Sequence, residues 1–488
     1  MFAIFLSSGL FLGWSLGAND AANVFGTAVG TRMISFRKAA IFCGIFVILG
    51  AVVSGAGASK TLGELGAVNA IAGAFVTALA AALTVYWLTV LGYPVSTTQA
   101  IVGAIIGWDL FAGALIDYGS LVEMALSWIL SPVLAAIFSA VMYKLIACGI
   151  RYAKVHMFSL DALTRTGLLI AGIAGSYSLG ANNISNVVGI FVPISPFEDI
   201  SFMGLFKLNA AQQLFLLGGV AIAVGTFTYG KKVMLTVGEG ITELSPVAAL
   251  TAVLANAVVL FLFASQDLEA FLLGHGLPAF PLVPVSSSQA IVGSVIGIGL
   301  VRGGRGIRWR MLGEIAGAWV VTPIAAIAIS FVSLFILQNV FQQKTYIPVE
   351  YQVTAEAEQR IGEAGIDTTR LADIREKIFP AAVQFQRAIS QRMKLDVKQM
   401  NVVMASTEID RTMVTSQALN RANGSGLKDD QKKALQKLWG KTFVHRWQFE
   451  KALADLSPAW QPKAGDKGHN EQVMADLDFV CRLIRATD

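Results

Sequence analysis

The chain has 488 residues, of which 55% are hydrophobic and 14% charged, with a formal net charge of +5 and a mean hydropathy of +0.62. So apolar a composition sets aside a soluble globular protein, and without a dense Lys/Arg run it sets aside nucleic acid as a partner. The charges are concentrated late: residues 1–341 hold 15 Lys/Arg and 13 Asp/Glu, whereas the last 147 residues hold 22 and 19.

A membrane-crossing helix needs about 20 mostly apolar residues. The first such segment, near 1–30, opens MFAIFLSSGLFLGWSLG without a basic leader, so it reads as a retained span. It carries GANDAANVFG at 17–26, where Asn19, Asp20 and Asn23 replace the leucines of a lipid-facing helix. Spans follow near 36–58, 66–92, 94–111 and 121–147, the fourth opening with PVSTTQAIVGAIIG at 94–107. A second set lies near 166–193, 208–229, 243–264, 284–300 and 312–341. It repeats the first: GANNISNVVG at 180–189 copies the first motif, and PVSSSQAIVGSVIG at 284–297 copies the second with ten of fourteen residues identical. The offset between copies grows from 163 to 190 residues, which places extra chain in the second copy around PISPFEDI and SQDLEAFLLGHGLPAFPL. Pro132 and Pro323 mark matching places in the two last helices.

Basic loops set the orientation. Arg32, Arg37 and Lys38 follow the first span; Lys144, Arg151, Lys154 and Arg165 join the two sets; Lys231 and Lys232 follow the seventh span; Arg302, Arg305, Arg308 and Arg310 follow the ninth. All fall on one side if each segment crosses once, which makes that side cytoplasmic and both termini extracytoplasmic. Five crossings per copy invert the second copy relative to the first. The predicted fold is therefore an all-α, multi-pass membrane protein of two inverted repeats, 1–150 and 151–341, each of about five segments with broken or re-entrant helices at the short Gly-rich stretches. Residues 342–488, with stretches such as REKIFPAAVQFQRAISQRM between NGSG and PKAGDKG breaks, predict a small helical soluble domain. Cys43, Cys148 and Cys481 form neither a disulfide framework nor a metal-ligand pattern.

The motifs carry the chemistry. Each PVS(T/S)(T/S)Q run offers a proline, three hydroxyls and then a helix, and hydroxyls with free N–H groups at a helix start suit an oxyanion. Ser96, Thr97, Thr98 and Gln99, with Ser286, Ser287, Ser288 and Gln289, are the candidate substrate-binding residues. Close helix packing by small residues is the competing explanation, and duplication in an inverted repeat argues against it. Asn19, Asp20 and Asn23, with Asn182, Asn183 and Asn186, offer oxygens to a hard cation such as Na+, and the adjacent glycines permit unwinding so that carbonyls join them. An ordinary turn at the membrane edge is the alternative, again weakened by duplication. None of the 15 basic residues of 1–341 lies in a motif, so co-bound cations must neutralise the anion, which is the physical basis of symport. Asp20 is the one carboxylate in the four motifs, which favours sodium over protons as the coupling ion; no other cofactor is called for.

These four runs resemble the signature of the inorganic phosphate transporter (PiT) family, with a GANDxxN and a P-x-S-[ST]-[ST] motif in each inverted half. The resemblance covers roughly 1–340. It implies cation-coupled symport of inorganic phosphate by alternating access, a homodimer, and a place in a plasma membrane such as a bacterial inner membrane. It puts phosphate at the hydroxyl-bearing helix starts and sodium at the Asn/Asp motifs. Two departures stand out: Asn183 where the family usually has Asp, and Gln99 and Gln289 where His is common. They leave sulfate as an alternative substrate and H+ as an alternative coupling ion. An anion channel would not need the paired Asn/Asp ligands, a sensor or scaffold would not need both sets of motifs, and no nucleophile–base arrangement supports an enzyme.

Overall fold

The computed structural model describes residues 2–65, 68–154, 156–197, 199–202, 206–234, 244–304, 307–423, 427–463 and 467–485. Arg305 of the predicted basic loop, Glu198 of PISPFEDI, and parts of the NGSG and PKAGDKG breaks lie outside the described residues. The chain divides into two units, Met1–Ile347 and Pro348–Asp488.

In the first unit the first repeat runs α1 (Phe2–Gly30), α2 (Phe36–Ser54), α3 (Ala56–Leu65), α4 (Ile71–Val90), α5 (Thr97–Ala112) and α6 (Tyr118–Ala153). The second runs α7 (Met157–Val188), α8 (Ala210–Thr228), α9 (Pro246–Ala264), α10 (Gln266–Gly274), α11 (Ser287–Val301) and α12 (Trp309–Asn339). Eight of these helices are long and apolar enough to cross a bilayer, and α5 and α11 are shorter apolar helices. At 1.5 Å per residue α5 and α11 are only about 22–24 Å long, short of a bilayer core of about 30 Å. Each follows a stretch of non-helical backbone, so each starts inside the membrane domain and runs to one surface, as the Gly-rich stretches predicted. The extra chain of the second copy forms a short hairpin, Ile200–Phe202 with Phe206–Leu208, and α10. The short helix α3 was not anticipated.

The repeats are interlocked through backbone contacts that only glycine permits. A Cβ on Gly50 of α2 would stand 2.0 Å from the Tyr177 carbonyl of α7, and one on Gly225 of α8 would stand 2.0 Å from the Trp14 carbonyl of α1. Tyr177 and Trp14 are separated by the offset of the first motif, so one contact is the copy of the other. The short helices repeat the pattern: Gly103 of α5 meets the Pro323 carbonyl of α12, and Gly293 of α11 meets the Pro132 carbonyl of α6. Ser330 donates to the Ala104 carbonyl (2.8 Å) and Ser139 to the Ser294 carbonyl (2.8 Å), which ties the same two helix pairs. Each short helix is thus clasped by the last helix of the opposite repeat. In a medium as apolar as the side chains themselves, such close approach supplies the packing and polar contacts that hold helices together.

Beyond α12 the chain crosses the surface ends of α4 and α5. Trp108 Nε1 donates to the Thr345 carbonyl (3.0 Å), Asn69 Nδ2 donates to the Ile347 carbonyl (2.8 Å), and Ile347 N donates back to Asn69 Oδ1 (2.9 Å). Thr345 is fully buried, and a Cβ on Gly73 would stand 2.1 Å from its carbonyl. The start of α4, the end of α5 and the end of α12 therefore share one face. On the opposite face Arg165 Nη1, at the start of α7, donates to the Met33 carbonyl after α1 (3.0 Å).

The second unit has its own core, with Phe449, Leu453, Trp460, Val480 and Ile484 all buried. Its helices are α13 (Ala355–Glu363), α14 (Ala382–Ser390), α15 (Val397–Thr407), α16 (Ser416–Asn423), α17 (Asp429–Gln436), α18 (Arg446–Leu456) and α19 (Lys467–Arg485). Two-stranded pairings join Glu350–Tyr351 to Glu408–Ile409 and Thr412–Met413 to Thr442–Phe443.

The glycine contacts yield a test. Gly50→Ala forces a methyl onto a backbone carbonyl, and overpacking of this kind costs about 1–3 kcal/mol. A fluorescence melt of the purified protein is expected to show a Tm several degrees lower, whereas Gly149→Ala, with no atom within 4 Å of the new carbon, leaves it unchanged. Equal melting of the two variants would refute the interlock.

Candidate functional site

The four motifs meet where α1 and α7 cross the starts of α5 and α11. All of the candidate residues are buried, none more than 5% exposed. Ser96 and Ser286 are the N-caps of α5 and α11; their hydroxyls accept from Gln99 N (3.2 Å) and Gln289 N (3.3 Å) and so serve their own helices. The backbone N–H groups of the residues that follow, Thr97 and Thr98 in one helix and Ser287 and Ser288 in the other, have no acceptor within their helices.

The pairing is crossed between repeats. Asp20 of α1 is bound by the hydroxyls of α11: Ser287 donates to Oδ2 (2.8 Å) and Ser288 to Oδ1 (3.4 Å). Asn19 Nδ2 donates to Asp20 Oδ1 (2.8 Å) and to the Val95 carbonyl (3.0 Å), and the one Ser288 hydroxyl hydrogen is shared between Asp20 and that carbonyl (2.9 Å). Asn23 Nδ2 lies within 3.3 Å of Asp20 Oδ1, 3.1 Å of Ser287 Oγ and 3.0 Å of Ser288 Oγ. The copy is built the same way. Asn182 Nδ2 donates to Asn183 Oδ1 (3.1 Å) and the Val285 carbonyl (2.7 Å), and Val285 N donates to Asn182 Oδ1 (3.0 Å). Asn186 Nδ2 donates to Asn183 Oδ1 (3.0 Å) and Thr98 Oγ1 (2.9 Å), and Thr98 donates to the Val285 carbonyl (3.4 Å). Because Ser288 reaches Val95 and Thr98 reaches Val285, the starts of α5 and α11 lie side by side, two positive helix ends facing one small volume.

The copies differ in how fully the residue at their centre is bonded. Asp20 has four hydrogen-bond donors, whereas Asn183, its counterpart, leaves Nδ2 without a partner, together with Asn186 Oδ1 and Thr97 Oγ1. Gln99 Oε1 and Gln289 Oε1 are also buried and unbonded. Buried polar atoms without partners are costly, and each is a group that a ligand or water could satisfy.

The expected unwinding at the Gly-Asn motifs does not occur. α1 is helical throughout Phe2–Gly30, and α7 stays helical to Val188 before a short 3-10 turn at Gly189–Phe191. Gly17 and Gly180 are instead needed for packing, since a Cβ on either would fall 1.9 Å from the Ile222 carbonyl or 2.1 Å from the Val47 carbonyl. The carbonyls that join the site come from Val95 and Val285, in the extended stretches before α5 and α11. Sequence reasoning also passed over Asn256 of α9, whose Nδ2 donates to the Asn23 carbonyl (3.4 Å) while its Oδ1 is unbonded. Asp109 of α5, buried with both oxygens unbonded, was passed over too. A lone polar residue inside an otherwise apolar helix was the available signal for each.

The arrangement can hold a hard cation between the Asp20 carboxylate, the Val95 carbonyl and the Ser287 and Ser288 hydroxyls, all oxygen donors. It can hold an oxyanion on the two helix starts. Among the described residues of this unit no Lys or Arg is buried, so the positive ends of helices and any cation are the available counter-charges.

Comparison with known proteins bears on the family and the fold. A profile described as the phosphate transporter family matches residues 16–330. A protein of Thermococcus kodakarensis named as a phosphate permease is 29% identical over 401 residues, covering 66% of this chain and 94% of its own. One so named in Methanocaldococcus jannaschii is 30% identical over 66% of this chain and 93% of its own. The chloroplast inorganic phosphate transporter 2-1 of Arabidopsis thaliana is 28% identical over 65% of this chain. A solved structure titled as the sodium-dependent phosphate transporter superposes with a TM-score of 0.55 at 26% identity, covering 69% of this chain and 98% of the other.

The asymmetry of the hydroxyls is testable in the ligand-free protein. Ser287→Ala strips Asp20 Oδ2 of its donor, and an unsatisfied buried acceptor costs about 1–3 kcal/mol, so Tm is expected to fall; Thr97→Ala removes no hydrogen bond and is expected to leave Tm in place. The reverse order would show that the carboxylate is not held as described.

Proposed function

The chain belongs to the phosphate transporter family, and from that premise we propose that it imports inorganic phosphate by symport with Na+ through alternating access. It is a multi-pass membrane protein of a family of transporters, not enzymes. The observation that carries the proposal is the bonding of Asp20 to Ser287 and Ser288, which fastens the one motif carboxylate of the first repeat to the anion-binding helix start of the second.

Cation and anion share groups in such a site. A sodium ion at Asp20 draws the Ser287 and Ser288 oxygens toward itself as ligands and leaves the N–H groups of α11 directed at the anion. With no buried Lys or Arg among the described residues of this unit, each ion raises the affinity for the other, and that coupling is reciprocal. Charge sets the stoichiometry. Carrying a dianion into a cell negative by about 150 mV costs about 7 kcal/mol, at roughly 2.3 kcal/mol per charge per 100 mV. Two sodium ions cancel that cost, and a third makes entry electrically favourable. The duplicated, oppositely oriented repeats supply the two nearly equivalent conformations that alternating access requires. Sodium at Asn19, Asp20 and Asn23 and at Asn182, Asn183 and Asn186, with phosphate on Thr97, Thr98, Ser287 and Ser288, is the assignment that follows.

The basic-loop rule makes the face holding Arg32, Lys38, Arg165 and Lys231 cytoplasmic, in a plasma membrane such as a bacterial inner membrane. It puts the end of α12, and with it residues 348–488, outside. The family likeness supports assembly as a homodimer.

Uptake of labelled phosphate into proteoliposomes decides the matter. An inward sodium gradient is expected to drive uptake that excess sulfate does not suppress, and Asp20→Asn to cut it at least about 100-fold, the loss of roughly 3 kcal/mol that follows when a buried charged partner is removed. Uptake abolished by sulfate, or running equally on a proton gradient alone, would overturn the substrate or the coupling ion. Asn183→Asp is expected to lower the sodium concentration for half-maximal uptake by adding a charge to the second ligand set; no change would exclude that set as a cation site.

A further inference from the structure

The end of α1 opposite the Trp108–Thr345 face opens into a cavity of about 750 Å³ whose charged lining is Arg32, Lys38, Arg165 and Lys231. We propose that this cavity binds a phosphoryl group, supplied by dissolved inorganic phosphate or by the headgroup of an anionic phospholipid.

Four cations converge there from positions as far apart in sequence as 32 and 231, at the ends of α1, α2 and α7 and just past α8. The tendency of membrane proteins to place basic residues in loops on one side explains that such residues exist on this face. It does not explain their gathering around one concavity, where like charges repel. Among the described residues the carboxylate paired within the group is Asp161, which holds Arg165 Nε at 2.8 Å. The cluster thus keeps a positive excess.

Parts of the cavity are fixed in advance. Arg165 is held on its other side by the Met33 carbonyl, at 3.0 Å from Nη1. Arg32, at φ 57°, is the left-handed residue of the cap that ends α1, fixed by Met33 N donating to the Ala28 carbonyl (3.0 Å). The floor is apolar, with Met33 and Leu169 contributing, and a low-dielectric wall behind a basic rim focuses the field onto an incoming anion. A phosphoryl group fits because its several oxygens accept from both guanidinium forks and ammonium groups. A lipid headgroup adds acyl chains for the apolar floor; free phosphate is the ion that the central site delivers.

The test is equilibrium binding of labelled inorganic phosphate to the purified full chain in neutral micelles, with and without sodium, comparing wild type with Lys38→Gln/Lys231→Gln. Both lysines are exposed, and an unchanged Tm shows that the variant folds. Each cation near an anionic group contributes about fivefold, so the double variant is expected to lose about 30-fold in affinity for the component it removes. Phosphatidylglycerol added to the micelles separates the sources. If it displaces that phosphate, or is itself retained by wild type and not by the variant while phosphatidylcholine is not, the ligand is a lipid headgroup; if it displaces nothing, the ligand is dissolved phosphate. Wild type and variant that bind phosphate and phosphatidylglycerol alike would overturn the proposal. The sodium dependence of the phosphate both proteins still bind reports on the symport reading, so the two ideas fail separately.

Discussion

A carboxylate in the middle of a membrane protein has no water to turn to. Burying it is costly, and donors from the surrounding chain relieve that cost. Asp20 obtains them from both repeats: Asn19 and Asn23 from its own helix, Ser287 and Ser288 from the start of α11. The geometry of the membrane unit follows from that demand. α11 must begin at the depth of Asp20, so it is a half-length helix preceded by extended chain. Its packing against α6 must be close enough to hold it there, which the contact of Gly293 with the Pro132 carbonyl provides.

The second repeat answers the same geometric problem with less charge. Asn183 is the counterpart of Asp20, yet its amide nitrogen is unbonded, as are the Thr97 hydroxyl and the Asn186 oxygen. A neutral amide is cheaper to bury than a carboxylate, so an unbonded Asn183 Nδ2 costs less than an unbonded oxygen on Asp20 would. The two ligand sets are therefore copies in shape and unequal in electrostatics. Two-fold symmetry sets the shape of the two sets, and the exchange of Asp20 for Asn183 sets the difference in charge between them.

Much of this was legible because duplication is a strong sequence signal. The motif pairs 17–26 with 180–189 and 94–107 with 284–297 pointed to the half-length helices and to residues that are all buried and meet in one place. What was illegible depends on three-dimensional partners. Gly17 and Gly180 looked like points of unwinding, and only the Ile222 and Val47 carbonyls pressed against them show that their missing side chains serve helix packing. Crossed pairing between repeats could not be read, because a hydroxyl run in one helix says nothing about which Asn/Asp motif will face it. The Val95 and Val285 carbonyls were invisible, since a backbone acceptor carries no residue-type signature. Asn256 and Asp109 were overlooked because they lie outside the repeated motifs.

The likeness to the phosphate transporter family stops at residue 330, within α12, but the membrane unit continues to Ile347. The intervening chain is integral to it: Thr345 lies buried against Gly73 with its carbonyl on Trp108, and Ile347 is clasped by Asn69. Homology and folding thus set different borders. Modular exchange of the soluble domain has a natural seam at Pro348. A seam placed where the likeness ends would discard part of the structure that closes over α4 and α5.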